Sequence, residues 1–188
     1  MSRLEPVQYP SLDARAQQIS DEIAAARDGN VGGPFAIWLR NADLADAANR
    51  LGNTLRLSGQ LDRRLFQLIV LLVARHWGAR YAWSVHADAA RRSGVADDVI
   101  EAIRTDRTPV LTSDEAATLA MTRELLQTRA VSDTTYANAV AILGTEGVIE
   151  AVAAAGFYTM VAITLAAFDV DALDGSRPFP LAPVADPT

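Results

Sequence analysis

Apolar residues recur at helical spacing along almost the whole chain. Leu12 to Arg27 carries them on one face and stops at Gly29. The loop Gly29-Asn30-Val31-Gly32-Gly33-Pro34 follows, and Pro34 can open a short helix, Phe35 to Arg40, as a first-turn proline. Asp43 is the expected cap of a helix that reaches about Leu57 and is closed by Gly59. Asp62 starts the next helix. From Leu65 to Ala74 the pattern is apolar all round except at Gln67, which predicts burial on every side, in the core or at a subunit interface. Read alone, that run also fits a buried strand. Its length and the pattern continuing through His86 to Ala90 favour helix, with a break or kink at Gly78.

Gly94 ends this stretch, and Val95 to Arg104 reads as a short helix. Thr112 and Glu115 have capping-box spacing and open a helix to about Arg129. Ser132 to Leu143 predicts another, ending at Gly144. Thr145 to Phe168 predicts a last long apolar helix with Gly156 inside it. The tail from Asp169 carries Pro178, Pro180, Pro183 and Pro187, so it is expected to lie extended on the surface or on a neighbouring subunit. Leu65-Phe66-Gln67 before one apolar run echoes Val148-Ile149-Glu150 before another, too short a match to establish a repeat. The expected fold is all-α, with one helical domain over 1–168 and a proline-rich tail over 169–188.

Composition narrows the chemistry. The chain has 188 residues, enough to bury a core, and 50% of them are hydrophobic. A net charge of −6 argues against nucleic acid as a partner, since phosphate binding needs a basic surface. It leaves room for an anionic small substrate, which needs only one or two local cations. There are no cysteines, which removes disulfides, thiolate metal sites and thiol nucleophiles. The first residues lack an apolar signal region, and the unbroken apolar run Leu68 to Ala74 is too short to cross a bilayer. A cytoplasmic protein without membrane contact is the expectation.

Candidate chemistry gathers between Arg75 and His86, where both histidines, two of the three tryptophans, Tyr81 and two arginines fall. Histidine is the side chain most easily tuned for proton transfer near neutral pH. On a helix from Ala79 to Ala90, Ala82, Trp83 and His86 share a face. The bland alternative is a hydrogen-bonded structural histidine, with Trp77, Tyr81 and Trp83 as core or interface residues. Arg75 could bind a carboxylate or pair with a buried acid such as Glu150. His76 precedes the break, where it could be exposed. His76 and His86 do not make a zinc site without acids in register. Gly29 to Gly33 lacks the lysine and preceding strand of a phosphate loop, and no serine sits in a nucleophile elbow. Solvation and capping explain the acidic pairs Asp21-Glu22, Asp97-Asp98 and Asp114-Glu115.

Five features of the sequence go together. They are a Leu61-Asp62-x-Arg64-Leu65 helix start, the apolar run, an Ala74-Arg75-x-Trp77 junction, a Tyr81-x-Trp83-x-x-His86 block, and Ala90-x-x-x-Gly94-Val95 before a short helix. In these the chain resembles the carboxymuconolactone decarboxylase family, which includes the alkylhydroperoxidase D-like proteins. The resemblance covers about Pro34 to Arg104 well. It continues more loosely to Phe168, where Gly156-Phe157-Tyr158-Thr159-Met160-Val161 is similar to the family's C-terminal helix. The peroxidase branch of the family has Glu-x-x-Cys-x-x-Cys-x-x-x-His. Here those positions read His76, Ala79, Ala82 and His86, so the thiol route to peroxide reduction is closed. The other branch often reads Tyr-Glu-Trp-x-x-His, with a glutamate in the preceding helix; here the two acids are replaced by Ala82 and Gln67.

The resemblance implies an alkylhydroperoxidase D-like helical bundle that assembles as a trimer or hexamer. It also implies chemistry that needs no cofactor and no metal. In the family's decarboxylation an unsaturated lactone takes up the electrons released as carbon dioxide leaves, and an acid protonates the remote carbon. Arg75, Gln67 and His86 are the candidates for carboxylate clamp, carbonyl donor and proton shuttle. Trp83, Tyr81, His76 and Tyr158 are the candidates for contacting the small-molecule substrate. The leading expectation is a cofactor-independent lyase or isomerase working through an enolate on a small carbonyl or lactone compound. The changes at Gln67 and Ala82 point toward a specialised biosynthetic pathway. The rival expectation is a degenerate family member that binds a ligand or supports an assembly without catalysis.

Overall fold

The computed structural model describes residues 2–5, 7–172 and 174–180, and these form helices and connecting turns with no strand among them. The helices are α1 (Ala14–Ala25), α2 (Pro34–Trp38), α3 (Ala42–Asn53), α4 (Arg63–Trp77), α5 (Arg80–Arg92), α6 (Asp97–Arg104), α7 (Ser113–Thr128) and α8 (Asp133–Ala167). A 3-10 turn, Tyr9–Ser11, precedes α1, and a single wide π turn, Thr54–Ser58, continues α3.

The all-round apolar helix α4 is the axis of the bundle. It packs against α5, α6, α7 and α8, and Leu68, Ile69, Val70, Leu71 and Val73 are completely buried. Burying each such side chain contributes roughly 1.5–3 kcal/mol, so the sequence surrounds α4 with neighbours on every side. Gly78 ends it in the left-handed conformation (φ 68°), which turns the chain back into α5 alongside α4. Gly144 (φ 72°, ψ 166°) breaks α8 into arms over 133–143 and 145–167, at the boundary the sequence predicts.

Caps follow local chemistry. Asp62 accepts from the Arg64 amide, Ser132 from the Thr135 amide, and Thr112 and Glu115 close their capping box. The cap of α3 differs from expectation. Asn41, not Asp43, holds the extended backbone before the helix, and its side chain accepts from the Leu44 amide at 3.1 Å. Asp43 sits in the first turn, where a carboxylate favours the helix dipole and faces Arg15 at 3.6 Å.

Two further expectations change. The sequence offers Glu150 as an acid for Arg75, but Glu150 accepts instead from the backbone amides of Gln60 and Leu61, tying α8 to the turn before α4. In addition, α8 is long and apolar enough to cross a bilayer, although no unbroken apolar run announces it. Its most apolar window is 56% buried, as it packs against α4 and α7. The described part of the tail is irregular, as expected, but it lies on its own chain. Phe179 is buried edge-on against Trp83 at 5.3 Å, and Arg104 Nη1 donates to the Pro178 carbonyl at 2.7 Å. Pro183 and Pro187 fall outside the described residues.

Candidate functional site

Between α4, α5 and the 145–167 arm of α8 lies a cavity of about 630 Å³, closed on its far side by the loop after α1 and by the π turn. Its volume is within the usual range for small-molecule sites. The return at Gly78 sets Gln67 of α4 opposite His86 of α5, with Gln67 Oε1 2.8 Å from His86 Nδ1. An amide oxygen at that distance accepts from Nδ1–H. The ring proton is therefore on Nδ1, and Nε2 keeps its lone pair. Nε2 has no hydrogen-bond partner among the described residues, and His86 is a wall residue of the cavity. Tyr158 of α8 stands edge-on to the imidazole, centroid to centroid 4.9 Å, and is braced by Phe66 at 5.7 Å and Phe157 at 5.4 Å.

The electrostatics are those of a cationic, acid-poor interior. Burial first, then the charges of Arg56 and Arg27, together lower His86 to about 3, so the imidazole is neutral at physiological pH. Burial pushes the Tyr158 phenol up to about 12, which makes it a neutral hydroxyl donor. Burial and then neighbouring Arg56 bring Arg27 down to about 10, leaving it charged. Of the carboxylates lining the cavity, Asp28 and Asp62 are both exposed, and neither hydrogen-bonds His86. Arg64, also on the wall, is occupied by Asp114 and Glu115. Among the described residues no cluster of His, Asp and Glu gathers with metal-ligand geometry.

The fold brings together only part of the expected set. His86, Gln67, Tyr81 and Tyr158 line the cavity, and so does Ala82. Arg75, His76 and Trp83 do not. Arg75 lies eight residues past Gln67, about 12 Å along the same helix and on another face. There its Nε donates to the Arg104 carbonyl at 3.0 Å, and its guanidinium sits 5.4 Å from the Phe179 ring centre. His76 is exposed at the end of α4 against Trp77, and Trp83 is buried beneath Phe179. Arg27 and Arg56 supply the cavity's cations instead. They come from the loop after α1 and from the π turn, far in sequence from the histidine, and nothing near them in the chain marks them.

Tyr81 explains the two consecutive glycines of the loop. Its hydroxyl is 3.4 Å from Asn30 Oδ1, and its ring covers Gly32 and Gly33. Gly33 adopts φ 62°, ψ −129°, and a Cβ there would run into the Tyr81 ring. Gly33→Ala therefore carries both backbone strain and a clash. It is expected to cost about 1–3 kcal/mol in denaturant unfolding. A change below about 0.5 kcal/mol, the range of ordinary surface substitutions, would contradict this packing.

Residues 42–124 match the model of the carboxymuconolactone decarboxylase family. The search of the curated proteins finds no match. Among solved structures, the fold is similar to that of a protein of unknown function from Agrobacterium tumefaciens, provisionally described as the antioxidant defence protein AhpD. The TM-score is 0.66 at 18% identity, over 75% of this chain and 98% of that one. Over residues 42–124 the chain is thus similar to the carboxymuconolactone decarboxylase family, within an alkylhydroperoxidase D-like helical fold.

Proposed function

We propose that the cavity is the active site of a cofactor-independent lyase or isomerase that acts on a small carbonyl or lactone compound through an enolate, with His86 as the proton shuttle. The observation that carries this reading is the Gln67–His86 pair, which leaves an imidazole lone pair at the cavity wall. Nε2 takes a proton from the carbon next to the substrate carbonyl, and the C–H electron pair moves onto the carbonyl oxygen. Tyr158 donates to that oxygen, and the positive charge of Arg56 and Arg27 favours its negative charge. The imidazolium then returns the proton to the same carbon or to a conjugated one, which gives exchange or isomerisation; in ring opening the enolate electrons instead expel the lactone oxygen as a carboxylate, and the imidazolium gives its proton to solvent. In a decarboxylation the electron pair comes from the C–C bond to the departing carbon dioxide, and the remote carbon takes its proton from an imidazolium that His86 has first formed by taking up a solvent proton at Nε2. Gln67 holds the ring and its tautomer throughout.

Catalysis is tested by hydrogen exchange in deuterated water on a panel of unsaturated lactones and β-keto acids, followed by proton NMR. His86→Ala is expected to slow exchange or turnover roughly 10²–10⁴-fold. An unchanged rate on a compound the protein turns over would remove His86 from the mechanism. The rival reading, a non-catalytic binding protein, draws on the absence of any carboxylate bonded to His86. Compounds that bind and are never exchanged or consumed would favour it.

The same reading places the protein in a homo-oligomer. Ile149, Val152, Met160 and Ile163 form an exposed apolar stripe at spacings of three and eight residues along the 145–167 arm, a face suited to a second copy of the chain. Light scattering is expected to show an assembly larger than one chain, which Ile149→Asp with Ile163→Asp disperses. A wild-type monomer would overturn the assignment.

A further inference from the structure

Arginines are numerous in this chain, but two stand apart. Arg27 and Arg56 are half-buried on the cavity wall and make no ion pair among the described residues. Neutral groups hold both. Arg27 Nη1 donates to Asn49 Oδ1 at 2.5 Å, and its guanidinium lies 4.3 Å over the Phe35 ring. Arg56 Nη2 donates to the Ala26 carbonyl at 3.0 Å. These contacts fix the direction of each cation without neutralising it. Two like charges near each other in a partly desolvated wall are costly, and an anion placed between them removes that cost. Phe35, Phe66, Val85, Phe157 and Val161 add apolar and aromatic surface to the same wall.

We propose that Arg27 and Arg56 form a carboxylate subsite, and that the bound carboxylate completes the proton-transfer site at His86. The ligand class is a carbonyl compound with one carboxylate and an apolar or aromatic body. This rests on the enolate reading above. The empty site is a poor place for an imidazolium, because the groups around His86 are mostly positive or neutral. The loop after α1 gives Arg27 and the exposed Asp28, and the π turn gives Arg56. The start of α4 gives Asp62, which caps the helix, exposed Arg63, and Arg64, which is already paired. Its own helix adds Tyr81 and exposed Arg92, α8 adds Tyr158, and α6 gives the cavity nothing. A carboxylate between Arg27 and Arg56 offsets the two charges that oppose protonation and leaves only burial against it. Ligand selection and the basicity of His86 are thereby one event. A neutral substrate fails on both counts.

The test uses benzoate as the probe, benzamide as its neutral counterpart and inorganic phosphate as a competitor, with the His86 ring followed by NMR across a pH titration. Benzoate is expected to bind saturably, to raise the pH at which His86 protonates, and to outcompete phosphate. Benzamide is expected to do neither. Arg56→Gln and Arg27→Gln should each weaken benzoate roughly ten- to hundredfold. Arg56→Gln should also raise the His86 titration in the free protein. Because Arg27 is packed on Phe35, Arg56→Gln, with its melting temperature checked, is the deciding variant. Equal binding of benzamide, tighter binding of phosphate, undiminished benzoate binding by a folded Arg56→Gln protein, or an unmoved His86 titration would each overturn the subsite. Intact benzoate binding by a protein whose His86→Ala variant exchanges substrate protons as fast as wild type would sink the catalytic reading and leave the subsite standing.

Discussion

A single polar residue in the most buried helix organises the site. The core-facing positions of α4 are apolar from Leu65 to Ala74, and Gln67 is the exception. An amide at the edge of such a core needs a hydrogen-bond partner, because leaving it unpaired costs about 1–3 kcal/mol. The partner is His86 Nδ1, on the helix that Gly78 folds back against α4. One bond thereby satisfies the amide and fixes the imidazole tautomer, leaving Nε2 without a partner on a residue that lines the cavity. A carboxylate in place of Gln67 would favour the imidazolium by its charge. The amide leaves His86 neutral, and burial together with two arginines keeps it so.

The cavity is therefore lined by cations rather than by acids paired with the histidine. Gln67 and Ala82 are neutral, and the fixed charges on the half-buried wall are Arg27 and Arg56. A site that is cationic and lacks interior acids leaves the counter-charge to the ligand. In the proposed enolate chemistry the substrate becomes more negative as it reacts, and the same arginines favour both the bound anion and the enolate.

The helices were legible because their signals are local. Capping residues, glycine stops and the 3.6-residue apolar period each act within one or two turns, and they place α1 and α4 to α8 closely. The misplaced cap at α3 arose because Asn41 and Asp43 are both competent caps, and only the preceding turn decides which has extended backbone. The site was legible where it follows from the α4–α5 pairing, which brings Gln67 to His86, and less so elsewhere. Arg75 lay near the histidine in sequence but two turns beyond Gln67 in space. Arg27 and Arg56 are brought in by the packing of α1 against α3, a long-range contact no local pattern encodes.

The chemistry of the cavity depends most directly on the protonation state of His86, which nitrogen-15 NMR of the labelled ring reads without reference to any substrate. The account predicts a neutral imidazole at pH 7 with the proton on Nδ1 and Nε2 bare, staying neutral well into the acid range toward about pH 3. A ring protonated on Nε2, or an imidazolium at neutral pH, would contradict it.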